Sequence, residues 1–503
     1  MKEYLNCYRF RAKEALGRRK VSKGDIILTS EPFVYMLTTS YKGLYCDNCF
    51  KSKKQAFQRC SGCAFEWYCN VACQRSSWPL HKFECKKLRQ LKPDYPVDTA
   101  RLLAKIIIKL QEIWLCKHTT VLIGAPHCWL QENNPFQIEA IPKNGGDKME
   151  EKWTEAKTRK FKDLMNHYSD IKRDDQRQEH LSVLRMALCN YLGAEHIPNE
   201  ADLQGIYGRV IINSFSISDE DQCTIGTGVY LAGSVFDHSC QPNAYVTFTG
   251  TKLICRSLVD WSVLDWNKVR ISYVDTLLSA KDRISDLLHR YYFTCACNYC
   301  TDQTREKISS SINCGNPSCD APVYISEIED SSLPVGPCTK CGFDKFSPDT
   351  RTSYKEISAF SREKLDEMKQ VYYFDISKLI LEKQGSMLHK LNVLRVRALD
   401  AAFESAIFLE LWDKSVEFGT QNLDGMRYHY GENYPAYALM LLKLGKVTCY
   451  TGKLEMGMKL LRAAEPILRI SHGTNHPVYK DQLKPLIEQT QAEINYKLSR
   501  RRD

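Results

Sequence analysis

The chain has 503 residues, of which 43% are hydrophobic and 11% aromatic, and it carries a formal net charge of +10 at pH 7. This length predicts several domains, because a single core rarely grows beyond about 250–300 residues, and the aromatic content argues against general disorder. The N-terminal segment has no apolar stretch after its charges. No run reaches the roughly 20 apolar residues of a membrane span, so we expect a soluble intracellular protein without a membrane partner.

Cysteine occurs 22 times. Because the cytosol and nucleus keep thiols reduced, we do not expect disulfides, and the spacing of the cysteines matters more than their number. Three groups have regular spacings that point to metal binding. Apart from Cys240, which is considered with the second group, seven cysteines lie outside these groups, and we expect them to be buried apolar thiols: Cys7, Cys116, Cys128, Cys189, Cys223, Cys255 and Cys449.

A strand-rich piece, VSKGDIILTSEPFVYML, comes before the first cysteine group. That group supplies eight closely spaced ligands, namely Cys46, Cys49, Cys60, Cys63, Cys69, Cys73, His81 and Cys85. Eight nitrogen and sulfur ligands suffice for two closed tetrahedral zinc sites. A segment of about 40 residues buries little core, so bound metal would supply its folding free energy. Ordinary thiols at chance spacings are the alternative.

The same part of the chain is basic. Residues 46–92 hold ten Lys/Arg against three acids, so the positive charge is partly local. Such a face could meet the phosphates of nucleic acid, and a merely solvated basic face is an equal alternative. The basic residues concerned are Lys51, Lys53, Lys54, Arg59, Arg75, Lys82, Lys86 and Lys87.

A helical region follows and contains residues 117–158, which look like an insertion with a loop at Asn144-Gly-Gly. Next, the stretch FDHSCQPNA at 236–244 is a compact polar loop between strand-like segments, since Pro242 excludes a central strand position. Loops of this kind often carry function.

Three further thiols form the second cysteine group, which consists of Cys295, Cys297 and Cys300. A closed zinc site needs a fourth ligand. We predict that Cys240 provides it, which would tie the polar loop to a segment distant in sequence. A third group, in a Gly/Pro-rich stretch, is either another zinc site or a set of ordinary linker thiols: Cys314, Cys319, Cys338 and Cys341.

From about residue 355 apolar residues recur at helical spacing. YGENYP at 430–435 matches HGTNHP at 472–477, an offset of 42 residues. A fixed period of this kind predicts stacked helix pairs. Their function would be peptide or partner recognition, or simply that of a helical lid that stabilises the rest of the protein.

In combination, this order of motifs resembles the SET-and-MYND (SMYD) family of protein lysine methyltransferases over essentially the whole chain. The resemblance rests on INSFSI, GTGVYLAGSVFDHSCQPNA, VRISYVD and YYFTCACNYC, which follow the first cysteine group. It implies an α+β multidomain fold with a β-rich SET domain split by a MYND zinc finger, a cysteine-rich post-SET segment and an all-α tetratricopeptide-like C-terminal domain. The implied boundaries are 1–45 for the N-terminal part of the SET domain, 46–85 for the finger, 86–204 for a helical SET insertion region, 205–275 for the core SET domain, 276–350 for the post-SET and cysteine-rich segment, and 351–503 for the helical C-terminal domain.

Tyr68, Trp78 and the gaps between the ligands resemble a MYND finger, which implies two interleaved zinc sites and a surface for proline-rich peptides. One zinc would be held by Cys46, Cys49, Cys69 and Cys73, and the other by Cys60, Cys63, His81 and Cys85. The post-SET zinc would be held by Cys240, Cys295, Cys297 and Cys300.

The activity implied by the resemblance is methyl transfer from S-adenosylmethionine to a lysine of histone or non-histone proteins, by a monomer in the nucleus and cytoplasm. Tyr273 in ISYVD matches the catalytic tyrosine, and Tyr291 in RYYFTC matches the second tyrosine, which lines the lysine channel. Phe215 and Phe293 would complete an aromatic tunnel that suits a methylammonium through cation–π attraction. Outside these motifs we would interpret all four as core residues.

The resemblance also implies the residues that hold the cofactor. They are His167 in LMNHYSD, Asn213, Ser234, Asp237, His238, Tyr273 and Phe293, whereas Asn243 is expected to fix the loop. The family's Gly-x-Gly is absent from RFRAKEALGRRK, where Arg11 and Lys13 are expected to take over. Asp237 stands where the family has Asn, and an ionised Asp can only accept hydrogen bonds. These departures leave an alternative function, a catalytically weak scaffold that recruits protein partners in transcriptional regulation.

Overall fold

The computed structural model describes residues 20–52, 56–119, 159–327, 329–368 and 373–500, with the backbone alone for 112–119. None of the helices in these ranges is both long and apolar enough to cross a membrane. Several residues singled out from the sequence lie outside the described part, namely Cys7, Arg11, Lys13, Lys53, Lys54, Cys128 and the predicted insertion beyond Thr119.

The chain forms two compact units that interleave along the sequence. Unit 1 comprises Met1–Asp237, Asn243–Arg270 and Arg290–Tyr292, and unit 2 comprises His238–Pro242, Ile271–His289 and Phe293–Asp503. The polar loop predicted at 236–244 therefore contributes residues to both units.

The described residues form an α+β structure of short strands and longer helices. The strands are β1 Ile26–Ser30, β2 Val34–Leu37, β3 Gln58–Arg59, β4 Trp67–Tyr68, β5 Ser214–Ser218, β6 Thr224–Val229, β7 Asp237–His238, β8 Ala244–Thr249, β9 Lys252–Ser257, β10 Arg270–Ile271, β11 Ser311–Asn313 and β12 Pro322–Tyr324. The α-helices are α1 Val71–Gln90, α2 Asp98–Thr119, α3 Tyr168–Ile171, α4 Asp175–Leu192, α5 Glu200–Asn213, α6 Ala280–Tyr291, α7 Asn298–Thr301, α8 Gln303–Ser309, α9 Thr350–Glu367, α10 Phe374–Gln384, α11 Val393–Phe408, α12 Trp412–Tyr430, α13 Pro435–Tyr450, α14 Leu454–Ser471 and α15 Lys484–Ser499.

Unit 1 contains two three-stranded antiparallel sheets. In one, β1 and β8 both pair with β9, and in the other, β2 and β5 both pair with β6. Burial alternates along β9, where Leu253, Cys255 and Ser257 are buried and the residues between them are half-exposed. This period of two is the pattern of a sheet covered on one face. The segment after the polar loop is strand β8, as its composition predicts. In the segment before the loop only residues 226–229 lie in a strand, β6, and a 3-10 helix at Gly233–Val235 follows, so that part of the prediction is wrong.

Helix α2 contributes several residues to an apolar core of unit 1. Its residues Ala100, Leu103 and Ile106 are fully buried, and the same core contains Tyr68 and Cys60 of the finger region. The finger region is therefore not an isolated module, because part of its ligand set is packed into the core of the unit. The helix extends to Thr119 and so includes the first residues of the segment predicted to be an insertion.

Unit 2 contains helices α9–α15, and the internal repeat has a direct structural counterpart there. Helix α12 ends at Tyr430 and α13 begins at Pro435, while α14 ends at Ser471 and a π-helical segment begins after Pro477. The repeated glycines, Gly431 and Gly473, both have positive φ, at 91° and 81°. Each repeat thus ends one helix at a glycine that can take a left-handed backbone and starts the next at a proline with a preset φ.

Glycine at position 208 allows close packing of a backbone segment on α5. A Cβ at Gly208 would lie 2.1 Å from the carbonyl oxygen of Asn166, whereas a Cβ at Gly205 would lie 3.1 Å from the end of the flexible Arg209 side chain. Residues 165–167 can therefore lie against this helix only because position 208 has no side chain.

We expect Gly208→Ala to lower the free energy of unfolding relative to the matched variant Gly205→Ala, measured by urea denaturation. Both variants gain the helix propensity of alanine, so the difference between them reports the clash, at about 1–3 kcal/mol for overpacking. Equal stability of the two variants would contradict the close packing of residues 165–167 on α5.

Candidate zinc centres and active site

The first metal cluster in the finger region consists of Cys46, Cys49, Cys69 and Cys73, whose Sγ atoms all lie within 4.8 Å of one another. The Sγ–Sγ distances are 3.7 Å from Cys49 to Cys69 and 3.2 Å from Cys69 to Cys73. A tetrahedral site with Zn–S bonds of about 2.3 Å has ligand separations of about 3.8 Å, so these thiols fit a zinc ion. Asn70 caps α1 by accepting a hydrogen bond from the Cys73 amide, at 2.9 Å, which fixes Cys73 in the first turn.

The second cluster consists of Cys60, Cys63, His81 and Cys85, all buried. The Nε2 atom of His81 lies 3.4 Å from the sulfur of Cys60 and 3.6 Å from that of Cys63, and the sulfurs of Cys60 and Cys85 are 3.7 Å apart. The structure thus brings together the same two interleaved sets that the resemblance to a MYND finger implies.

A buried carboxylate orients the histidine of the second cluster. Glu66 Oε2 lies 2.9 Å from His81 Nδ1, which leaves Nε2 for the metal. Glu66 also contacts Lys105 of α2 at 3.4 Å, and Lys105 lies 3.5 Å from Glu84. Burial alone would lower the pKa of Lys105, but Glu84 and Glu66 raise it, so the lysine remains charged. Tyr191 of α4 completes the network by donating to Glu84 at 2.7 Å.

The third cluster lies in unit 2 and consists of Cys240, Cys295, Cys297 and Cys300, again with all four sulfurs within 4.8 Å. The sulfurs of Cys240 and Cys300 are 3.5 Å apart. The guanidinium of Arg283, which is 3% exposed, donates to the carbonyl of Tyr299 at 3.1 Å and to the sulfur of Cys300 at 3.7 Å. A zinc ion with four thiolates carries a net charge of −2, and this buried cation offsets part of it.

His238 connects the third cluster to the predicted catalytic tyrosine. Its Nδ1 atom accepts a hydrogen bond from the backbone N–H of Tyr273 at 3.0 Å, so the ring proton is on Nε2, which lies 3.2 Å from the sulfur of Cys240. Burial lowers the pKa of His238 to about 4. The imidazole is therefore neutral at pH 7, and each nitrogen has a defined role.

Three of the predicted site residues form one aromatic cluster in unit 2. The ring centroids of His238 and Tyr273 are 5.3 Å apart, those of His238 and Phe293 are 6.0 Å apart, and Tyr273 and Phe293 meet edge to face at 6.4 Å. The structure therefore brings together a neutral imidazole, a phenol and an apolar ring.

In unit 1, Asn213 and His167 lie around the segment that packs on Gly208. The amide of Asn213, a residue only 8% exposed, donates to the carbonyls of Met165 and Arg209, each at 2.8 Å. His167 has a φ of 46° and contacts the ring of Tyr292, whose φ is 58°, at 5.4 Å between centroids. Such left-handed conformations are uncommon for residues other than glycine and concentrate at functional sites.

The other predicted residues of unit 1 have separate surroundings. Ser234 donates to the carbonyl of Leu231 and accepts from Arg159, at 3.0 and 3.2 Å. Phe215 packs edge to face on Tyr230 at 5.7 Å. Asp237 faces Arg270 at 3.8 Å. Tyr291 is the last residue of α6 and is half-buried.

Asn243 fixes the polar loop, as the sequence predicts. Its side chain donates to the carbonyl of Lys268 at 2.8 Å and accepts from the amide of Arg270 at 2.7 Å. Sequence reasoning missed three residues that support the site, namely Glu66, Arg283 and Tyr292. Of these three, only Glu66 has a signal in the sequence, because it is one of the few acids of a basic segment and lies between two cysteine pairs.

Comparisons with known proteins agree with this geometry. The MYND finger family model matches residues 46–85. Histone-lysine N-methyltransferase SMYD3 from Homo sapiens is 27% identical over 490 residues, which cover 96% of this chain and 97% of that protein. N-lysine methyltransferase SMYD2-A from Danio rerio is 25% identical over 501 residues, covering 97% and 98%, and N-lysine methyltransferase SMYD2 from Homo sapiens is 25% identical over 479 residues, covering 92% and 93%.

The folded units and their cysteine clusters define a multidomain α+β zinc protein that contains a MYND finger. Its similarity to the SMYD proteins extends far beyond the finger to nearly the whole length of each relative. Over nearly its whole length, the chain is therefore similar to the SET-and-MYND proteins.

We expect Cys240→Ser to lower the zinc content of the purified protein by one ion per chain, measured by plasma mass spectrometry. A closed site has no spare ligand, and the hydroxyl is a poor substitute for a thiolate. Cys189→Ser, in α4 and outside every cluster, is the control and should retain all its zinc. Unchanged zinc in Cys240→Ser would show that the second cysteine group closes its site without the polar loop.

Replacing Glu66 by glutamine should weaken zinc binding at the second finger cluster by about 10–100-fold, because the carboxylate orients the ligand histidine. Competition with a chromogenic chelator measures this affinity. Glu84→Gln is the matched control, because it removes the other carboxylate beside Lys105 without touching His81. If both variants bind zinc equally weakly, the loss of affinity comes from disruption of the ion pairs with Lys105, and the proposed role of Glu66 in orienting His81 is wrong.

Proposed function

We propose that the chain is an S-adenosylmethionine-dependent protein-lysine N-methyltransferase that acts on histone or non-histone proteins. Its similarity to lysine methyltransferases over nearly their full length supports this activity. The observation in the structure that carries the proposal is the bond between His238 and the backbone of Tyr273, together with the contact of His238 with Cys240. A zinc cluster thereby fixes the position of the residue proposed to be catalytic.

The sheets and helices fit the architecture that this function requires. We assign the strands of residues 20–45 and 205–275 to a SET domain split by the MYND finger, with residues 86–204 as its helical insertion. Residues 276–350 would be the post-SET and cysteine-rich segment. The helices from Thr350 onward would be the tetratricopeptide-like C-terminal domain, a proposal supported by the repeated glycine and proline turns.

The chemistry of the side chains suits S-adenosylmethionine. His238, neutral because of its burial, adds no positive charge beside a sulfonium. Asn213 positions the backbone that leads to His167, and the left-handed backbone at His167 directs that ring toward Tyr292. We propose that these residues and Ser234 bind the adenosine part of the cofactor, and that Phe293 and Asp237 also take part in cofactor binding. Arg11 and Lys13, which lie outside the described residues, would meet the methionine part.

When bound, S-adenosylmethionine supplies a methyl group that is already activated on a sulfonium. The protein has to hold the lysine amine neutral, desolvated and in line, which is mainly a matter of orientation. We propose that the hydroxyl groups of Tyr273 and Tyr291 hold the amine by hydrogen bonds. The rings of Phe215 and Phe293 would exclude water, and burial of this kind lowers the pKa of a lysine and so favours the reactive neutral amine.

A catalytically weak scaffold is the second candidate, and Asp237 bears on it. The Asp237 carboxylate lies 3.8 Å from the Arg270 guanidinium. This ion pair offsets the negative charge that would otherwise repel the carboxylate of the cofactor. The charge at position 237 is therefore compatible with cofactor binding, which favours the enzyme over the scaffold.

The finger has the surface of a protein-interaction module. All three acids of residues 46–92 are buried, since Asp47 is 7% exposed and Glu66 and Glu84 are 0% exposed. Trp78 and Phe83 are exposed by 46% and 43% among basic residues. Aromatic side chains of this kind suit proline-rich peptides, and the unopposed positive charge also suits the phosphates of nucleic acid.

We propose that the protein works as a monomer in the nucleus and cytoplasm.

Tyr273→Phe should reduce methyl transfer to a lysine peptide at least 100-fold and leave the affinity for S-adenosylmethionine within about threefold. The variant keeps the ring that packs on His238 and Phe293 and loses only the hydroxyl. General acid–base and orienting groups of this kind typically contribute 10²–10⁴-fold. A radiometric peptide assay and calorimetric titration of the cofactor measure the two quantities.

Tyr450→Phe, an identical change at an exposed tyrosine, is the control and should retain activity. Folded wild-type protein that contains its zinc but does not bind S-adenosylmethionine would contradict the enzyme and favour the scaffold. Binding without transfer to any lysine peptide of a histone-tail library would also oppose it.

A further inference from the structure

The third cysteine group forms a compact cluster of its own in unit 2. The sulfurs of Cys314, Cys319, Cys338 and Cys341 all lie within 4.8 Å of one another. The sulfur of Cys314 is 3.5 Å from that of Cys341, and the sulfur of Cys319 is 3.9 Å from that of Cys338. These separations bracket the edge of about 3.8 Å expected for a tetrahedral ZnS₄ site.

The backbone around Cys338 has the form of a metal-binding turn. The amide of Gly342 donates to the carbonyl of Cys338 at 2.8 Å, and the amide of Cys338 donates to the carbonyl of Phe343 at 2.8 Å. Gly342 has a φ of 74°, which permits this tight reversal directly after Cys341.

The first pair of ligands has similar support. The amide of Asn316 donates to the sulfur of Cys314 at 3.5 Å, and the amide of Cys319 donates to the carbonyl of Asn316 at 2.9 Å. A turn through Asn316 therefore brings the two ligands of this pair together.

We propose that Cys314, Cys319, Cys338 and Cys341 bind a structural Zn²⁺ ion that is separate from the two zincs of the finger and from the zinc at Cys240. Soft thiolate ligands in a closed tetrahedral set select zinc among the common divalent ions. The site does not depend on the proposed methyl transfer, since a catalytically inactive chain would hold the same ion.

The ion would fasten the loop of the β11–β12 hairpin to the segment around Cys338, while hydrogen bonds join the same hairpin to the turn that precedes α11. The backbone amide of Asn313, next to the first ligand, donates to the carbonyl of Met387 at 2.8 Å. The carbonyl of Asp320, next to the second ligand, lies 3.0 Å from Nε2 of His389. The side chain of Asn392, which also caps α11, donates to the carbonyl of Ser311 at 2.9 Å.

These contacts place the cluster at the base of the C-terminal helices. Cys314 and Cys338 share one apolar core with Ile312 of β11, Leu388 of the turn and Tyr354 of α9. The hairpin has only three residues in each strand, and isolated hairpins of this size are marginal in water. A metal ion would therefore supply the free energy that keeps this hairpin folded against the helices.

The experiment is metal analysis of the purified full-length protein by plasma mass spectrometry. With four Cys/His clusters, wild type should hold four zinc ions per chain, and the variant Cys338→Ser/Cys341→Ser should hold three. Cys223, for which the sequence-based prediction of a buried thiol is wrong, is exposed and lies outside every cluster of the described residues, so the control Cys223→Ser should hold four.

A second measurement keeps the test decisive if the double variant folds poorly. Cobalt exchanged into wild type should show sulfur-to-cobalt charge transfer, and alkylation of native wild type by iodoacetamide should spare all four cysteines until a chelator is added. Three zincs in wild type together with alkylation of these four cysteines in the native state would overturn the proposal. Resistance to alkylation that a reductant alone abolishes would show disulfides in place of zinc and would also overturn it.

Discussion

The tie between Cys240 and the thiols at 295–300 is the constraint on which the proposed active site depends. Four sulfurs within one coordination sphere fix the polar loop segment 238–242 to a distant part of unit 2. His238 then transmits this constraint, because one of its nitrogens faces the sulfur of Cys240 and the other accepts from the backbone of Tyr273. A small displacement of a catalytic group lowers the reaction rate strongly. A zinc ion bound at Cys240, two residues from His238, would limit such displacement of Tyr273.

The charged side chains beside the buried cysteine clusters differ with the charge that each cluster would carry. The third cluster would be a dianion when it contains zinc, and the buried Arg283 stands beside it. The second finger cluster would be less negative, because a neutral histidine replaces one thiolate, and its nearest charged neighbour is the carboxylate of Glu66. Glu66 is itself negative, and Lys105 at 3.4 Å offsets its charge, as required where the loss of hydration is expensive. Because the three acids of the finger region are buried, the exposed charged side chains among its described residues are basic.

The sequence predicts those features of the fold and of the site that depend on residues close together in the chain or on a repeated pattern. Ligand pairs such as Cys46 and Cys49 are recognisable because a metal demands particular atoms at short spacing, and the 42-residue repeat is recognisable because both copies need a glycine and a proline at equivalent turns. Glu66 and Arg283 were missed because their roles depend on which distant side chains they meet. The left-handed backbones of His167 and Tyr292 were missed for a different reason, since neither residue type signals a positive φ.

For the third cysteine group, the spacing in the sequence leaves two interpretations open, and the structure favours one of them. In sequence, Cys314 and Cys319 are separated by four residues, a spacing that is less regular than that of the finger pairs, and the surrounding glycine and proline residues suit a plain linker equally well. In space, however, the first pair converges with Cys338 and Cys341, and all four sulfurs lie within 4.8 Å of one another. Four thiolates this close would repel one another unless a cation lay between them. The proposed zinc ion would be that cation, and four sulfur ligands are the set that a structural zinc prefers.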